Sequence, residues 1–178
     1  MLFRSHEPFD VPGPQNYSDK GAPDKFRNSA RYTDNCLRNY FNSVRTKTWY
    51  DSTLFILVAD HAHELPLNRN VLFPEGRHIP LVFFGPALSD SMKGERIHMA
   101  GGHHDIASTL LLQLGLAAGD FKWSKNLLSP NAKSFAYLPH ENYLTWVDRK
   151  GWFVWMVAAK KISHHSKGRL VKENDPEV

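Results

Sequence analysis

The residues with the clearest chemical potential are Asp60 and His61, a carboxylate followed directly by an imidazole. They come right after the apolar run 54–59, which is long enough for a strand and shows no alternation. Such a run is typical of a strand buried on both faces, as in a parallel sheet, and open α/β sheets place ligands where strands end. Because the chain turns there, the two side chains can converge on one ion. Two ligands do not complete a site, so the others must come from elsewhere, and a capping Asp beside a loop His stays an alternative.

The residue types also indicate which metal this pair would hold. A carboxylate and a neutral imidazole suit Mn²⁺, Zn²⁺ or Fe²⁺ better than Mg²⁺ or Ca²⁺. His63 follows closely and could be a third ligand, could donate a proton to a bound phosphoryl oxygen, or could be a solvent-facing loop residue. His6 lies in an irregular segment rich in Pro and Gly, where a histidine is usually a mobile surface group.

The elements around these residues predict an α/β fold. A helix is predicted from Asp24, as its cap, to about Thr48, with one apolar face. Strands are predicted over 53–59 and 78–84, and a second helix from His104 to Gly115, where glycine ends it. Helix, strand, loop, strand and helix in this order predict a mostly parallel sheet that is covered on both faces.

The last third of the chain is different in character. Three short aromatic runs end in 138, 147 and 157, and 148–151 reads as a tight turn between the last two, so we predict an antiparallel meander. The predicted organisation is therefore an entry loop over 1–25, an α/β domain over 26–130, an antiparallel subdomain over 131–158 and a basic tail over 159–178.

Composition narrows the class of protein. Of the 178 residues 42% are hydrophobic, which supports a packed core and argues against disorder. The net charge of +4 owes much to the basic residues between Lys160 and Lys172, which could touch nucleic acid or anionic lipid but are more simply a solvated terminus. Cys36 is the only cysteine, so an internal disulfide and a Cys-based metal site are excluded. No stretch approaches the roughly 20 apolar residues of a membrane span, and the first ten residues do not resemble a signal peptide, so any export signal is expected upstream.

Several motifs in this order resemble the lipoteichoic acid synthase-like phosphoglycerol transferases of the alkaline phosphatase and sulfatase superfamily. The combination of the Asp-His pair after an apolar strand with the later Asp-Ile…Thr-Leu-Leu helix is the most specific part. The resemblance covers nearly the whole chain to about Val157. The motifs are Ser5–Phe9, Tyr50–Phe55 leading into Ala59–His63, Ile79–Leu81, His104–Leu111, Phe121–Leu128 and Phe135–Tyr137.

The resemblance implies the C-terminal portion of an α/β/α sandwich and a divalent metal bound by Asp60 and His61. It implies that His6 contacts the substrate phosphate, and we group His63 with it as substrate-binding. Position 62 is often Gly in that family and is Ala here. The family's nucleophilic Thr (Ser or formylglycine in relatives) and its first acidic ligand lie upstream of the segment that matches Ser5-His6, and no threonine of this chain stands in that context. No catalytic nucleophile is therefore assigned, and the isolated chain is expected to be inactive.

The expected function is phosphoryl transfer by a larger enzyme, either a phosphoglycerol transferase or a phosphodiesterase-like hydrolase. The expected partners are the upstream half of the same polypeptide and a phosphate or sulfate ester, lipid- or glycan-linked, with no nucleic acid. The parent protein is expected to be membrane-anchored, with this domain in the periplasm or at the cell surface. A sulfatase is the second interpretation, although many sulfatases have Asp-Asn where this chain has Asp60-His61. A non-catalytic binding domain with the same fold is the third.

Overall fold

The computed structural model describes residues 6–18 and 20–166. These residues form two compact units. The first comprises the described residues up to Val71 together with Glu75–Glu95, and the second comprises Leu72–Pro74 and the chain from Arg96. In chain order, the helices and strands are α1 (Ala22–Val44), β1 (Phe55–Val58), β2 (Leu81–Phe84), α2 (Asp105–Gln113), β3 (Phe135–Pro139), β4 (Tyr143–Asp148), β5 (Gly151–Met156) and β6 (Lys161–His165). Within this part of the chain, no helix combines the length and the hydrophobicity needed to cross a membrane.

Helix α1 packs through aromatic side chains against the two strands of the first unit. The ring of Phe41 meets those of Phe55 and Phe84 edge-on, with centroids 5.2 and 4.9 Å apart. The helix begins earlier than predicted, because Gly21 is the N-cap and Pro23 stands in the first turn, where its fixed φ suits a helix. The prediction that Asp24 caps the helix is therefore wrong. Its carboxylate instead accepts hydrogen bonds from Ser18 and from Arg27.

Strands β1 and β2 pair antiparallel, with Phe55 opposite Phe84 and Val58 opposite Leu81. The prediction of a parallel arrangement is wrong for this pair. A parallel pair needs a crossover that returns the chain to the starting edge, whereas the connection from β1 to β2 contains only one 3-10 turn, Pro74–Gly76. Full burial on both faces is not seen either, since Val58 is 42% exposed and Val82 is 46% exposed. The length and apolarity of a run predict a strand, but they do not predict the direction of its neighbour.

Helix α2 ends where the sequence predicts. Gly115 has φ +71, and its N–H donates to Leu112 O while the N–H of Leu116 donates to Leu111 O. These two bonds form a Schellman motif, which satisfies carbonyls at the helix end and favours glycine because of the positive φ. The first turn is fixed by Asp105, which is fully buried and pairs with Lys125 Nζ at 2.6 Å.

The predicted meander is present and is one strand longer than expected. Strands β3 to β6 follow one another in a four-stranded antiparallel sheet. Val154 and Thr145 are fully buried in it, and Thr145 Oγ1 donates to Leu72 O. Strand β6 falls inside the segment predicted as a basic tail, so the sheet continues to His165, while 167–178 lie outside the described residues. The alternation of a strand is hard to recognise in Lys161–His165 because all five residues are exposed.

Each compact unit combines a helix with a sheet: α1 with β1 and β2 in the first, and α2 with β3 to β6 in the second. The fold class is therefore α/β, as predicted. The contacts group 96–130 with the meander. The domain boundaries predicted after residues 25, 130 and 158 remain a prediction about the parent protein.

Candidate functional site

The loop after β1 presents Asp60 and His61 to solvent, on one side of the same turn. Asp60 Oδ1 accepts the backbone N–H of His61 at 2.9 Å, which fixes the carboxylate close to its neighbour. The other oxygen, Oδ2, lies 3.9 Å from His61 Nε2. The side chains are 89% and 64% exposed. The structure therefore brings the two predicted ligands together, with one oxygen and one nitrogen facing each other.

The tautomer of His61 follows from its other nitrogen. Nδ1 lies 2.8 Å from the carbonyl oxygen of Ala62, which can only accept, so Nδ1 carries the proton. Nε2 then has a lone pair toward Asp60. A backbone carbonyl on the far nitrogen is the usual companion of a metal-binding histidine, because it fixes the ring orientation and raises the basicity of the ligand.

The donor set fits a borderline divalent metal. Bonds from Zn²⁺ to nitrogen and carboxylate oxygen are about 2.0–2.2 Å, so two ligand atoms at a tetrahedral angle would lie roughly 3.3–3.6 Å apart. The 3.9 Å between Oδ2 and Nε2 is slightly wider, so the two exposed side chains would move closer together to hold one ion. Two ligands are not a complete site, and residues 6–18 and 20–166 contain no group of three or more His, Cys, Asp or Glu side chains arranged for a metal ion.

His63 is positioned differently from its neighbours in the motif. Its side chain is only 21% exposed, and both ring nitrogens are engaged. Nδ1 accepts the backbone N–H of Leu65 at 3.0 Å, so the proton is on Nε2, which donates to Glu7 Oε1 at 3.0 Å. A third metal ligand would need one of these nitrogens free. The geometry therefore argues against the ligand interpretation and leaves Nε2–H as a donor.

The carboxylate of Glu7 joins the two histidines predicted to bind substrate. Its Oε1 accepts from His63, and its Oε2 lies 3.2 Å from Nδ1 of His6, whose side chain is 68% exposed. The pKa of Glu7 is lowered, first by a hydrogen bond from its own backbone N–H and then by the one from His63. An ionised carboxylate between two imidazoles can hold both rings through hydrogen bonds. The other nitrogen of His6, Nε2, belongs to a side chain that is largely exposed to solvent.

Aromatic packing against α1 holds His63 and the segment of Glu7 in place. The ring of His63 stacks on Phe26 of α1 with centroids 5.1 Å apart, and Phe9 meets both rings edge-on. Phe9 is only 3% exposed and has φ +60, a left-handed conformation that is costly for a bulky residue. We attribute its tolerance to the burial of the ring, which anchors the segment carrying His6 and Glu7 against the helix.

From the sequence we proposed Asp60, His61, His6 and His63 as site residues and did not foresee Glu7, which connects His6 with His63. The sequence signal for Glu7 was weak, since it stands 56 residues before His63 and no local pattern relates the two. The second miss was the buried ion pair of Asp105 with Lys125. A charged residue in the first turn of an apolar helix was visible, but its partner 20 residues later was not.

Comparison with known proteins places the chain in a family. The sulfatase family model matches residues 1–116. Lipoteichoic acid synthase 2 of Bacillus subtilis (strain 168) is 24% identical over 143 residues, which is 70% of this chain and 21% of that protein. The chain therefore spans about a fifth of the length of this relative.

The fold is also seen in a crystal structure of a protein in the alkaline phosphatase superfamily from Vibrio parahaemolyticus. The TM-score is 0.70 at 20% identity, covering 96% of this chain and 43% of that one. These matches confirm the resemblance to the alkaline phosphatase and sulfatase superfamily and to its lipoteichoic acid synthase-like members. With the family model matching well over half of its residues, this chain belongs to the sulfatase family.

Proposed function

We propose that this chain is the C-terminal part of a metal-dependent phosphoryl-transfer enzyme, a phosphoglycerol transferase or phosphodiesterase-like hydrolase whose nucleophile lies in the upstream half. The observation that carries the proposal is that Asp60 Oδ2 and His61 Nε2 lie 3.9 Å apart, while the proton of His61 is held on Nδ1. Similarity to Bacillus subtilis lipoteichoic acid synthase 2 supports phosphoryl rather than sulfuryl chemistry.

In this proposal Asp60 and His61 supply two ligands of a divalent metal, Mn²⁺ or Zn²⁺ rather than Mg²⁺ or Ca²⁺, and the upstream half supplies the others. Bound there, the metal would act as a Lewis acid and stabilise the negative charge of the transferring group. An exposed carboxylate oxygen and an imidazole lone pair, both held by neighbouring backbone groups, need little rearrangement to bind it.

The histidines joined by Glu7 form the substrate side. In this role the exposed ring of His6 is an imidazolium, so that Nε2–H can donate to a phosphoryl oxygen while Nδ1–H stays with Glu7. His63 is assigned to the same side, because its Nε2–H is a donor that a phosphoryl oxygen can take over from Glu7 Oε1. The two rings would thus hold the oxygens of the ester while the metal neutralises their charge.

The proposed partners and location of the parent enzyme are based on the similarity to lipoteichoic acid synthase 2. The substrate is proposed to be a lipid- or glycan-linked phosphate ester, and the upstream half is proposed to complete the site. The half-exposed strands β1 and β2, with Val58 and Val82 open to solvent, offer a surface for that half. The parent is proposed to be membrane-anchored, with this domain in the periplasm or at the cell surface.

A sulfatase is the second candidate, favoured by the family model that matches residues 1–116. The upstream sequence separates the two, because a nucleophilic Thr indicates phosphoryl transfer and a Cys or Ser in a Cys-x-Pro-x-Arg setting indicates sulfate ester hydrolysis. A chain with neither would be a non-catalytic binding domain.

Activity assays on two proteins test the proposal. A longer protein that includes the upstream half should hydrolyse bis-p-nitrophenyl phosphate with Mn²⁺, prefer it to p-nitrophenyl sulfate, and lose the activity in Asp60→Ala. The isolated 178-residue chain should show no turnover. Metal-dependent turnover by the pure isolated chain would contradict the assignment of the nucleophile to the upstream half, and a preference for the sulfate ester would favour the sulfatase.

A further inference from the structure

A shallow groove in the second unit lies at one end of the four-stranded sheet. One wall is the segment 130–134, which leads into β3, and the other is the turn 148–150 between β4 and β5. The two segments are neighbours because Phe135 pairs with Asp148 in the last register of the β3–β4 ladder, so the chains on either side of that pair diverge. The groove holds about 320 Å³, the small end of the range for ligand sites, which suits one small group.

The walls of this groove carry three cations. Lys133 stands on one side, and Arg149 and Lys150 stand on the other, all with exposed side chains. Within residues 6–18 and 20–166 none of the three forms an ion pair with an acid. Like charges held side by side repel one another and give the groove a positive electrostatic potential. A bound anion would reduce this repulsion.

Both oxygens of Asp148, the one carboxylate that lines the groove, accept hydrogen bonds from the surrounding chain. Asp148 Oδ1 accepts the backbone N–H groups of Lys150 and Gly151 at 2.8 and 3.2 Å. Oδ2 accepts Nε1–H of Trp146 at 3.0 Å. Asp148 therefore shapes the turn that presents the cations. Three positive charges and one negative charge leave two positive charges in the groove.

The strands on either side of the groove are held together by side-chain contacts. Trp146 of β4 stacks on Phe135 of β3 with an interplanar angle of 8° and centroids 5.1 Å apart. Lys125 Nζ donates to Phe135 O at 2.8 Å and is itself held by the buried Asp105. A preorganised turn loses less conformational entropy on binding, which favours recognition by otherwise flexible side chains.

We propose that this groove binds a tetrahedral oxyanion, a phosphate or sulfate group carried by a small ester or a lipid headgroup, through Lys133, Arg149 and Lys150. The planar fork of Arg149 can donate two parallel hydrogen bonds to such a group, and the two lysines add charge. The proposal rests on the second unit alone and does not depend on the metal pair or on the function proposed above.

A titration with inorganic phosphate at constant ionic strength, followed by amide NMR signals of the full chain, tests this site. Saturable shifts are expected for residues 131–134 and 148–151. The variant K133Q/R149Q/K150Q should weaken binding by at least about tenfold, because each charge-assisted hydrogen bond to the anion is lost. Its unfolding midpoint should match that of the unchanged chain, since the three side chains are exposed.

A control variant with the same loss of charge separates the groove from general attraction. K20Q/R45Q/K47Q removes two lysines and one arginine of the first unit, all exposed and without an ion pair among the described residues, and should leave the phosphate affinity within about twofold, since only unspecific, salt-screened attraction changes. Shifts that stay linear with phosphate, or equal weakening in the two triple variants, would overturn the proposal. Arg149→Lys should give an intermediate affinity, because it keeps the charge and removes the fork.

Two further ligands identify the source of the anion. Glycerol 3-phosphate that binds as tightly as inorganic phosphate, with no retention on phosphatidylglycerol vesicles, indicates a soluble ester. Vesicle binding that the groove variant loses and the first-unit variant K20Q/R45Q/K47Q keeps indicates a lipid headgroup. Equal vesicle binding by the groove variant and the unchanged chain, with no saturable shift by either soluble ligand, would contradict the groove as the site.

Discussion

Nε2 of His63 donates a hydrogen bond to Oε1 of Glu7 across 3.0 Å, joining two residues 56 positions apart in the chain. This contact ties the segment that carries His6 to the loop that carries Asp60 and His61. The other nitrogen of His63 holds the backbone of Leu65, so a single imidazole fixes both segments.

Replacing His63 by Phe should loosen this connection while keeping the stack on Phe26. The part-buried N–H of Leu65 loses its acceptor, which we expect to lower the free energy of unfolding by roughly 0.5–1.5 kcal/mol, and Glu7 loses its donor. Urea denaturation measures it. His78→Phe is the matched control, because His78 is exposed and lies in the same unit. An equal effect of the two substitutions would show that the contact with Glu7 contributes nothing.

Removing Lys125 should destabilise the second unit strongly. Lys125→Met leaves the fully buried carboxylate of Asp105 without its cation, which costs on the order of 3–5 kcal/mol when a buried pair is broken. Thermal unfolding of this variant is compared with that of Lys122→Met, whose lysine is exposed. We expect a large fall in the unfolding midpoint of the first variant and almost none in that of the second; similar midpoints would mean that the ion pair is not needed.

Two glycines with positive φ separate backbone strain from close packing. A Cβ on Gly85, at φ +117, would lie 2.7 Å from Thr53 O and 2.9 Å from the ring of Phe55, whereas a Cβ on Gly94, at φ +80, meets open space. Both alanine substitutions carry the conformational penalty, and Gly85→Ala adds a steric one. We expect it to be more destabilising by about 1–3 kcal/mol, measured by chemical denaturation. Equal losses would imply that β1 and β2 yield freely at this point.

Asp24 should make the stability of the first unit depend on acid pH. Its pKa is lowered mainly by the hydrogen bond from Ser18, with Arg27 adding to the effect and partial desolvation opposing it. A lowered pKa in the folded state gives a stabilisation that is complete above the unfolded pKa of about 3.9 and is lost as pH falls through the folded value.

The difference in unfolding midpoint between the unchanged chain and Asp24→Asn should therefore be present at pH 6 and vanish near pH 2. Asp51→Asn is the control, because Asp51 is exposed and makes no ion pair among the described residues. A gap that stays constant down to pH 2 would show that the charge of Asp24 has no role in it.

The parts of this fold that sequence could predict are local. Gly115 ends α2 because a positive φ is required there, and 148–151 turns because the Asp148 side chain accepts two backbone N–H groups. The adjacency of Asp60 and His61 at a strand end made their convergence predictable as well. Each of these depends on residues within a few positions of one another.

The parts that sequence could not predict depend on distant contacts. The antiparallel direction of β2 is set by the path of the chain from Asp60 to Leu81, which apolar periodicity does not encode. The assignment of Glu7 needed the packing of Phe9 on α1 to bring it to His63. The exposure of β6 hid it, since a strand with no buried face has no alternation to read.

Calorimetric titration of Mn²⁺ into a protein that includes the upstream half tests the central claim most directly, with Asp60→Ala and His61→Ala as variants. Both substitutions should abolish tight binding, because each removes one of the two atoms that face each other across 3.9 Å. His63→Ala should retain metal affinity within a few-fold, as its nitrogens are engaged by Glu7 and Leu65. Unchanged affinity in both Asp60→Ala and His61→Ala would contradict the metal site and the function built on it.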